Sequence, residues 1–175
     1  MIFKASSEHV EILSTLGAET FYASHKDSAP AQEIFTYMRK IYTLESIRKE
    51  LTNSSNIYHL IEHESKIVGF SKIAFDMGHP SIQSEHVSKM NQIYLLEPFH
   101  GLRLGTKLLN YNIELSTLNG QTGMWLIVWV GNTTAITFYK RHNFSIVKQD
   151  QFHLTGSHVS PCYIMFLDYK ATRII

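Results

Sequence analysis

The sequence predicts an α+β protein in which helices flank a mixed β-sheet. Three observations support this fold class. Apolar residues recur at helical spacing through the first third of the chain, two strand-like apolar segments follow in the middle, and the region from residue 90 to 144 alternates between strand and helix patterns. The middle segments predict an antiparallel hairpin, and the later alternation predicts one parallel βαβ unit.

Length and composition limit the classes of protein to which this chain can belong. Its 175 residues, 44% of them hydrophobic and 12% aromatic, are expected to form a single domain over residues 1–175. The formal net charge of +1 predicts neither a nucleic-acid partner nor attraction to an acidic membrane. The single cysteine, Cys162, excludes an internal disulfide and suits a reducing compartment. No membrane-spanning run or signal segment is recognised, so a cytoplasmic location is expected.

Capping and breaking residues divide the first half of the chain into elements. Ser6 is a candidate helix N-cap, and residues 26–30 (KDSAP) break the helix that follows. Thr43 is a capping residue inside the next helical stretch, which is therefore expected to divide there. The predicted elements are a strand at 2–5, helices at 7–24 and 32–51, strands at 57–62 and 66–75, and a loop at 76–88.

The second half contains one segment, MWLIVWV at 124–130, that is continuously apolar. Such a run is typical of a strand that is covered on both faces. Asn119-Gly120 and His142-Asn143 are stop signals for the two helices on either side of it. The predicted elements are strands at 90–96 and 124–130, helices at 102–118 and 132–141, final strands at 144–152 and 162–167, and a frayed tail at 170–175.

The strand, glycine loop and helix over residues 91–109 (NQIYLLEPFHGLRLGTKLL) predict an anion-binding site. Backbone N–H groups at the start of a helix have no partner within the helix, and the aligned peptide dipoles place partial positive charge there. A phosphate or pyrophosphate suits such a site. Gly101 and Gly105 can equally be ordinary turn residues, so the loop alone does not decide between these interpretations.

Two motifs resemble the signatures of the GNAT superfamily of acetyl-CoA-dependent N-acetyltransferases. HGLRLG at 100–105 resembles the family's loop motif, Gln/Arg-x-x-Gly-x-Gly/Ala. Asn132, Ala135, FYK at 138–140 and Asn143-Phe144 resemble its second motif. The resemblance covers nearly the whole chain and is closest to the PaiA-type polyamine acetyltransferases. The segments that carry this closer likeness are ETF at 19–21, KEL at 49–51, Ile93-Tyr94 and the Trp125–Trp129 strand.

The resemblance implies a GNAT fold, with a twisted, mostly antiparallel sheet of about seven strands. A parallel strand pair would splay apart to hold the pantetheine arm of acetyl-CoA, while amides of residues 100–106 would hold the pyrophosphate. An N–H near Tyr94 or Leu95 would face the thioester oxygen, and Tyr139 would donate a proton to the departing thiolate. The implied cofactor contacts are Ile93, Tyr94, Leu95, His100, Gly101, Leu102, Arg103, Leu104, Gly105, Thr106, Asn132, Ala135, Phe138, Tyr139 and Lys140.

The chain departs from the family pattern at three positions. His100 replaces the Gln/Arg of the loop motif. Arg103 replaces a glycine; it would expose its N–H and add a guanidinium in a right-handed helical conformation, but would be strained at positive φ. Asn91 stands where PaiA-like chains have a glutamate that is a candidate base. Without it, the enzyme would be slow with an alkaline optimum, or Glu97, His86 or a water chain would take that role.

The sequence therefore predicts transfer of an acetyl group from acetyl-CoA to a primary amine, by direct attack in a ternary complex. By resemblance the leading acceptor is a polyamine such as spermidine. The alternatives are another small amine, a peptide N-terminus, or a CoA-binding module with little or no catalysis. The family resemblance also makes a homodimer through sheet edges or the last strands a possibility to test.

Several other polar residues have simpler interpretations. No metal is expected, because His153, His158 and Cys162 lack a fourth ligand and close spacing. His59 and His63 lie four apart on a strand and are expected to face solvent. The scattered carboxylates are interpreted as a solvated surface rather than as a polycation site; they are Glu45, Glu50, Asp76 and Glu85.

Overall fold

The computed structural model describes residues 1–156 and 158–170. Most of the predicted tail, residues 171–175, lies outside the described residues. The helices are α1 (Val10–His25), α2 (Ala31–Ile41), α3 (Leu44–Thr52), α4 (Leu104–Leu118) and α5 (Thr133–Arg141). The strands are β1 (Ile2–Lys4), β2 (Ile57–His63), β3 (Lys66–Ala74), β4 (Val87–Leu95), β5 (Gly123–Trp129), β6 (Ser145–His153) and β7 (Val159–Asp168).

The strands form one sheet of seven strands in the order β1-β2-β3-β4-β5-β7-β6. Neighbouring strands are antiparallel except for β4 and β5, which are parallel and joined through α4. This is the α+β class and the mixed, mostly antiparallel sheet that the sequence predicts. The crossover through α4 places the helix against the sheet, as parallel strands require.

Helices cover both faces of the sheet. On one face, apolar residues of α1, α2 and α3, such as Leu13, Ile34 and Ile47, pack with Leu60 and Phe70 of the sheet. On the other face, residues of α4 and α5 pack against strands near the centre of the sheet. The continuously apolar β5 is buried on both sides, by α4 and α5 on one face and by Ile82 of the loop before β4 on the other, which is why its sequence shows no alternation.

Local sequence signals place most element boundaries. The Glu64-Ser65 turn has φ of 48° and 61° and joins β2 to β3 as an antiparallel hairpin, as predicted. Thr43 accepts a hydrogen bond from the backbone N–H of Ser46 and so separates α2 from α3. Strand β4 begins at Val87, inside the predicted loop, because Val87 pairs with Gly123 of the distant β5.

The prediction for His59 is wrong. Its side chain is buried, at 2% exposure, and its ring centroid lies 4.9 Å from that of Tyr111 on α4. Helix α4 covers this part of β2, whereas His63, at the end of the strand, lies beside Phe99 and stays partly exposed. Burial lowers the pKa of His59, which favours the neutral imidazole.

Across the two described ranges, the helices are too short or too polar to span a membrane.

Candidate active site

The site is organised around a gap between β4 and β5. Their parallel pairing covers only Val87–Lys89 of β4 with Gly123–Trp125 of β5. The register of β4 against β3 shifts between Lys72 and Ile73, which leaves Asn91 without a pairing partner on β3. A bulge of this kind bends its strand, so the remainder of β4 diverges from β5. The facing edges of both strands are left open beyond Lys89.

A cleft of about 740 Å³ opens from the gap on the side of α4 and α5. Residues of β4, β5, α5 and the loop before α4 form its walls, and we call it the α4–α5 cleft. The α4 N-terminus contributes Gly105 and Thr106 to the wall. The first intrahelical bond runs from the Lys107 N–H to the Arg103 carbonyl, so the N–H groups of residues 104–106 have no partner inside the helix.

Two residues of the loop before α4 have positive φ, and the loop borders the cleft. Gly101 has φ of +80°, which glycine adopts without strain. His100 donates a hydrogen bond from Nε2 to the Leu95 carbonyl at 3.0 Å, which fastens the loop to the end of β4. Arg103, the residue before α4, is left-handed, with φ of 59° and ψ of 13°. Of the two conformations considered for Arg103, the strained one is therefore observed.

Helix α5 supplies the opposite wall of the cleft. Asn132 caps α5, because its side-chain oxygen accepts a hydrogen bond from the Ala135 N–H at 3.0 Å. Tyr139 is 8% exposed and borders the cleft. Within the described ranges, its hydroxyl has no hydrogen-bond partner, and burial raises its pKa above the ordinary value. A protonated and unengaged phenol therefore stands beside the gap.

The structure brings most of the predicted cofactor residues to one cleft. Those that line it are Ile93, Tyr94, Leu95, His100, Gly101, Arg103, Leu104, Gly105, Thr106, Asn132, Ala135, Phe138 and Tyr139. Asn91 lines it as well. Leu102 and Lys140 are exposed and lie outside its wall. Arg141 and His142 border the cleft without having been predicted to do so, because they fall between the motif residues at 138–140 and 143–144.

A second cavity, of about 840 Å³, lies on the face covered by α1, α2 and α3. We call it the α1–α3 pocket. Asn91, Tyr94 and Trp129 border both cavities, so the pocket and the cleft meet at the gap between β4 and β5. A molecule in the pocket can therefore approach a group held in the cleft from the opposite side of the sheet.

The side chain of Tyr94 lies at this junction. Burial raises its pKa, and the nearby hydroxyls of Tyr139 and Tyr37 raise it further. The resemblance implies a cofactor contact at Tyr94 and a backbone N–H near Tyr94 or Leu95, but it gives no direction for the Tyr94 side chain, which depends on the bulge at Asn91. Alternation along β4 alone does not reveal that direction.

Glu50 was interpreted as part of a solvated surface, but it borders the α1–α3 pocket. Its carboxylate forms an ion pair with Lys72 and accepts hydrogen bonds from Asn56 Nδ2 at 3.0 Å and from the Tyr58 hydroxyl at 3.1 Å. Glu50 lies three residues after the buried Ile47, so both are on the same face of α3. This helical spacing is the sequence signal that could have indicated that Glu50 faces inward.

The alternative bases considered from sequence lie away from the gap. Glu97 is exposed and borders neither cavity. His86 is held by Asp76 at 2.9 Å, and this pair also borders neither cavity. Within the described ranges, no group of three or more His, Cys, Asp or Glu side chains could hold a metal ion.

Comparisons with known proteins agree with this arrangement. The profile of the Acetyltransferase (GNAT) family matches residues 18–144. An uncharacterized N-acetyltransferase of Methanocaldococcus jannaschii is 35% identical over 88 residues, which cover 50% of this chain and 38% of that relative. The chain therefore matches well under half of the relative's length.

Solved structures share the fold. PaiA N-acetyltransferase from Thermoplasma acidophilum, crystallised with coenzyme A, has a TM-score of 0.77 and 20% identity, covering 97% of this chain and 98% of that chain. The ribosomal-protein-S18-alanine N-acetyltransferase from Escherichia coli has a TM-score of 0.69 and 14% identity, covering 96% and 92%. With most of its length matched by the family profile, the chain belongs to the GNAT acetyltransferase family.

Proposed function

We propose that this chain is an N-acetyltransferase that transfers the acetyl group of acetyl-CoA to a primary amine. One observation carries the proposal: a cleft with an amide-rich helix N-terminus meets a separate pocket through the gap between β4 and β5. The two reactants would enter from opposite sides and meet beside Tyr139. Such a ternary arrangement aligns the amine with the acyl carbon without covalent attachment to the protein.

The residues of the α4–α5 cleft fit coenzyme A. The open edges of β4 and β5 offer backbone groups to an extended arm that carries amides, as an added strand would. The free N–H groups of residues 104–106 and the glycine loop suit a pyrophosphate, and Arg103 and Arg141 add positive charge at the cleft. When bound, acetyl-CoA would supply an activated acetyl thioester. We assign no metal to this reaction.

The protein would contribute two catalytic groups. A backbone N–H near Tyr94 or Leu95 would stabilise the negative charge that develops on the thioester oxygen. Tyr139 would give its proton to the departing thiol sulfur, and its raised pKa keeps that proton in place until it is needed. Asn91 cannot act as a base, so the amine would lose its proton through water.

Cys162 is the one cysteine in the sequence; it borders the α1–α3 pocket, but its burial disfavours a covalent acetyl-enzyme route. Its side chain is 2% exposed within β7, and burial raises the pKa of its thiol. A buried, protonated thiol is a poor nucleophile. Direct attack by the amine is therefore the simpler mechanism.

The sequence resemblance makes a polyamine such as spermidine the first acceptor to test. Peptide N-termini are the second candidate, because solved neighbours include ribosomal-protein alanine acetyltransferases. A CoA-binding module with little catalysis is the third, because Asn91 replaces the expected carboxylate. A homodimer and a cytoplasmic location stay as predictions from sequence, to be checked by sedimentation and by imaging.

The direct test measures release of free thiol from acetyl-CoA with spermidine, small amines and peptides between pH 7 and 9.5. Amine-dependent thiol release, with mass spectrometry of the acetylated product, supports the proposal. Turnover of peptides alone would move the acceptor to protein N-termini. Tight binding of CoA without release from any amine would favour the binding module.

A further inference from the structure

We infer that the acceptor amine carries a carboxylate, which Lys89 holds in the α1–α3 pocket. This inference rests on the proposed acetyltransferase function. It refines the acceptor class and departs from the polyamine that resemblance suggests. Charge, burial and position within the pocket support it.

The walls of the pocket carry more positive than negative charge. Four lysines border it, two exposed at Lys40 and Lys49 and two less exposed at Lys72 and Lys89. Glu50 is the one carboxylate among the described wall residues. His25 adds no charge at neutral pH, because burial lowers its pKa. The field in the pocket therefore favours an anion over a polycation.

A second ammonium group could reach Glu50 only at its other oxygen, Oε1, and would then lie beside the ammonium of Lys72. Lys72 already pairs with Glu50, and Asn56 and Tyr58 donate hydrogen bonds to the same oxygen, Oε2. A diamine that placed one nitrogen at the gap would leave its other ammonium among lysines. Separating Glu50 from Lys72 would leave the Lys72 ammonium without its partner. This is unfavourable because the Lys72 side chain is only 16% exposed.

Lys89 is the lysine best placed to bind an anion near the reaction centre. It is the last residue of β4 that pairs with β5, so it stands where the gap begins. Its ammonium lies 4.8 Å from the centroid of the Trp125 ring, and the described residues include no carboxylate within ion-pair distance. Burial and the charge of Lys72 lower the pKa of Lys89, which means that they disfavour its charged form. A bound carboxylate would stabilise that charged form.

The distance along β4 limits the size of the acceptor. Asn91 and Tyr94, which border the gap, are two and five residues beyond Lys89. At about 3.3 Å per residue, the strand places them roughly 7 to 16 Å away. An amino acid whose amine lies several bonds from its carboxylate can therefore place its carboxylate at Lys89 and its amine in the gap.

The test compares each amino acid with the amine formed by removing its carboxylate. The pairs are lysine with 1,5-diaminopentane, ornithine with 1,4-diaminobutane, and 4-aminobutanoate with propylamine. In the pair with the fastest thiol release, kcat/KM for the amino acid should exceed that for the amine by about tenfold or more, as expected for one partly buried charge pair. Equal or faster reaction of the amine would overturn the inference but leave the acetyltransferase function intact.

A binding measurement separates failure of this inference from failure of catalysis. Calorimetry of the CoA-bound protein, which lacks an acetyl group to transfer, should show tighter binding of the amino acid than of its paired amine. If no acceptor turns over but this preference is present, the proposed function fails and the pocket assignment stands. Absence of the preference in both experiments would reject the assignment.

Variants of Lys89 test the residue directly. Lys89→Gln should reduce the preference for the amino acid about tenfold, and Lys89→Arg, which keeps the charge, should retain most of it. Lys66→Gln is the matched control, because Lys66 is exposed at the β2–β3 turn and borders neither cavity. Circular dichroism and CoA affinity report whether each variant is folded. An unchanged preference in a folded Lys89→Gln protein would contradict the assignment.

Discussion

At the scale of single residues, Arg103 combines backbone strain with a favourable charge. Its left-handed conformation costs an L-residue about 1 kcal/mol or more, while its guanidinium borders the cleft that would hold a diphosphate. A glycine there would remove the strain but also the charge. In place of the family's glycine, the arginine would strengthen binding of the diphosphate through its charge, while its left-handed conformation lowers the stability of the fold.

Two substitutions separate these effects. Arg103→Gly and Arg103→Ala should weaken CoA binding equally, by about three- to tenfold at low salt, and should flatten its salt dependence. Only Arg103→Gly relieves the strain, so it should be more stable than Arg103→Ala by about 1 kcal/mol in urea unfolding. Equal CoA affinity in wild type and both variants at every salt concentration would mean that Arg103 only faces solvent.

Tyr139→Phe should lower turnover by roughly 100-fold or more, the usual range for a positioned acid. CoA affinity and stability should change little, because within the described ranges the hydroxyl makes no hydrogen bond. Its pKa is raised by burial, so the phenol stays protonated from pH 7 to 9.5 and this residue should impose no loss of activity within that range. A turnover number that matches wild type would remove Tyr139 from the acid role.

Asn91→Glu would place a carboxylate at the bulge that borders both cavities. An alkylammonium with a pKa near 10.4 is almost fully protonated at neutral pH, so a base there should raise the rate. We expect about tenfold or more at pH 7, with a smaller gain at pH 9.5. Asn91→Gln controls for size. Equal rates for the Glu and Gln variants across pH would contradict a role for a base at this position.

At the scale of elements, the packing of α1 against Tyr42 shapes the α1–α3 pocket. A Cβ atom added to Gly17 would overlap the Tyr42 ring, and the Tyr42 hydroxyl accepts a hydrogen bond from Gln92 Nε2 at 2.9 Å. Both Tyr42 and Gln92 border the pocket, and Gln92 also borders the cleft. The position of α1 therefore affects the α1–α3 pocket through Tyr42 and Gln92.

Gly17→Ala should therefore destabilise the fold by about 1–3 kcal/mol, as overpacking usually does. Displacement of Tyr42 should raise KM for the amine several-fold. CoA affinity in folded protein should stay near that of wild type, because Tyr42 does not border the α4–α5 cleft. Urea unfolding and steady-state kinetics provide these values. A loss of CoA affinity with unchanged KM for the amine would refute the coupling.

The sequence predicts elements well where the signal is local. The Glu64-Ser65 turn, the Thr43 cap and the helix at Asn132 each depend on a few neighbouring residues. It does not predict features that depend on register between distant strands. The start of β4 at Val87 depends on its pairing with β5, and the burial of His59 depends on the covering helix α4.

The same distinction applies to the site. The loop before α4 and helix α5 were predicted from motifs, and thirteen of the fifteen residues implied for the cofactor line one cleft. The α1–α3 pocket was not predicted, because its walls come from α1 to α3 and from strands on both sides of the gap. Lys72 and Lys89 belong to no motif, and Glu50 lies in the 49–51 segment of the family likeness without a role implied for it. Only the folded chain brings the three together.

At the scale of the whole molecule, every described strand belongs to one sheet, and the gap lies near its centre. We predict that the chain is a single domain and therefore unfolds in a single cooperative transition. A ligand that bridges β4, α4 and α5 should stabilise the whole chain. CoA at 100 times its Kd would add about 2.7 kcal/mol, which corresponds to a rise in Tm of roughly 5 to 10 °C.

Calorimetric titration of CoA into the wild-type protein tests the central claim most directly. The claim is that backbone amides around the glycine loop and the open strand edges hold the coenzyme in the α4–α5 cleft. We predict one-to-one binding that weakens as salt is added and weakens further in Arg103→Ala. Absence of binding by both CoA and acetyl-CoA to folded protein would contradict it.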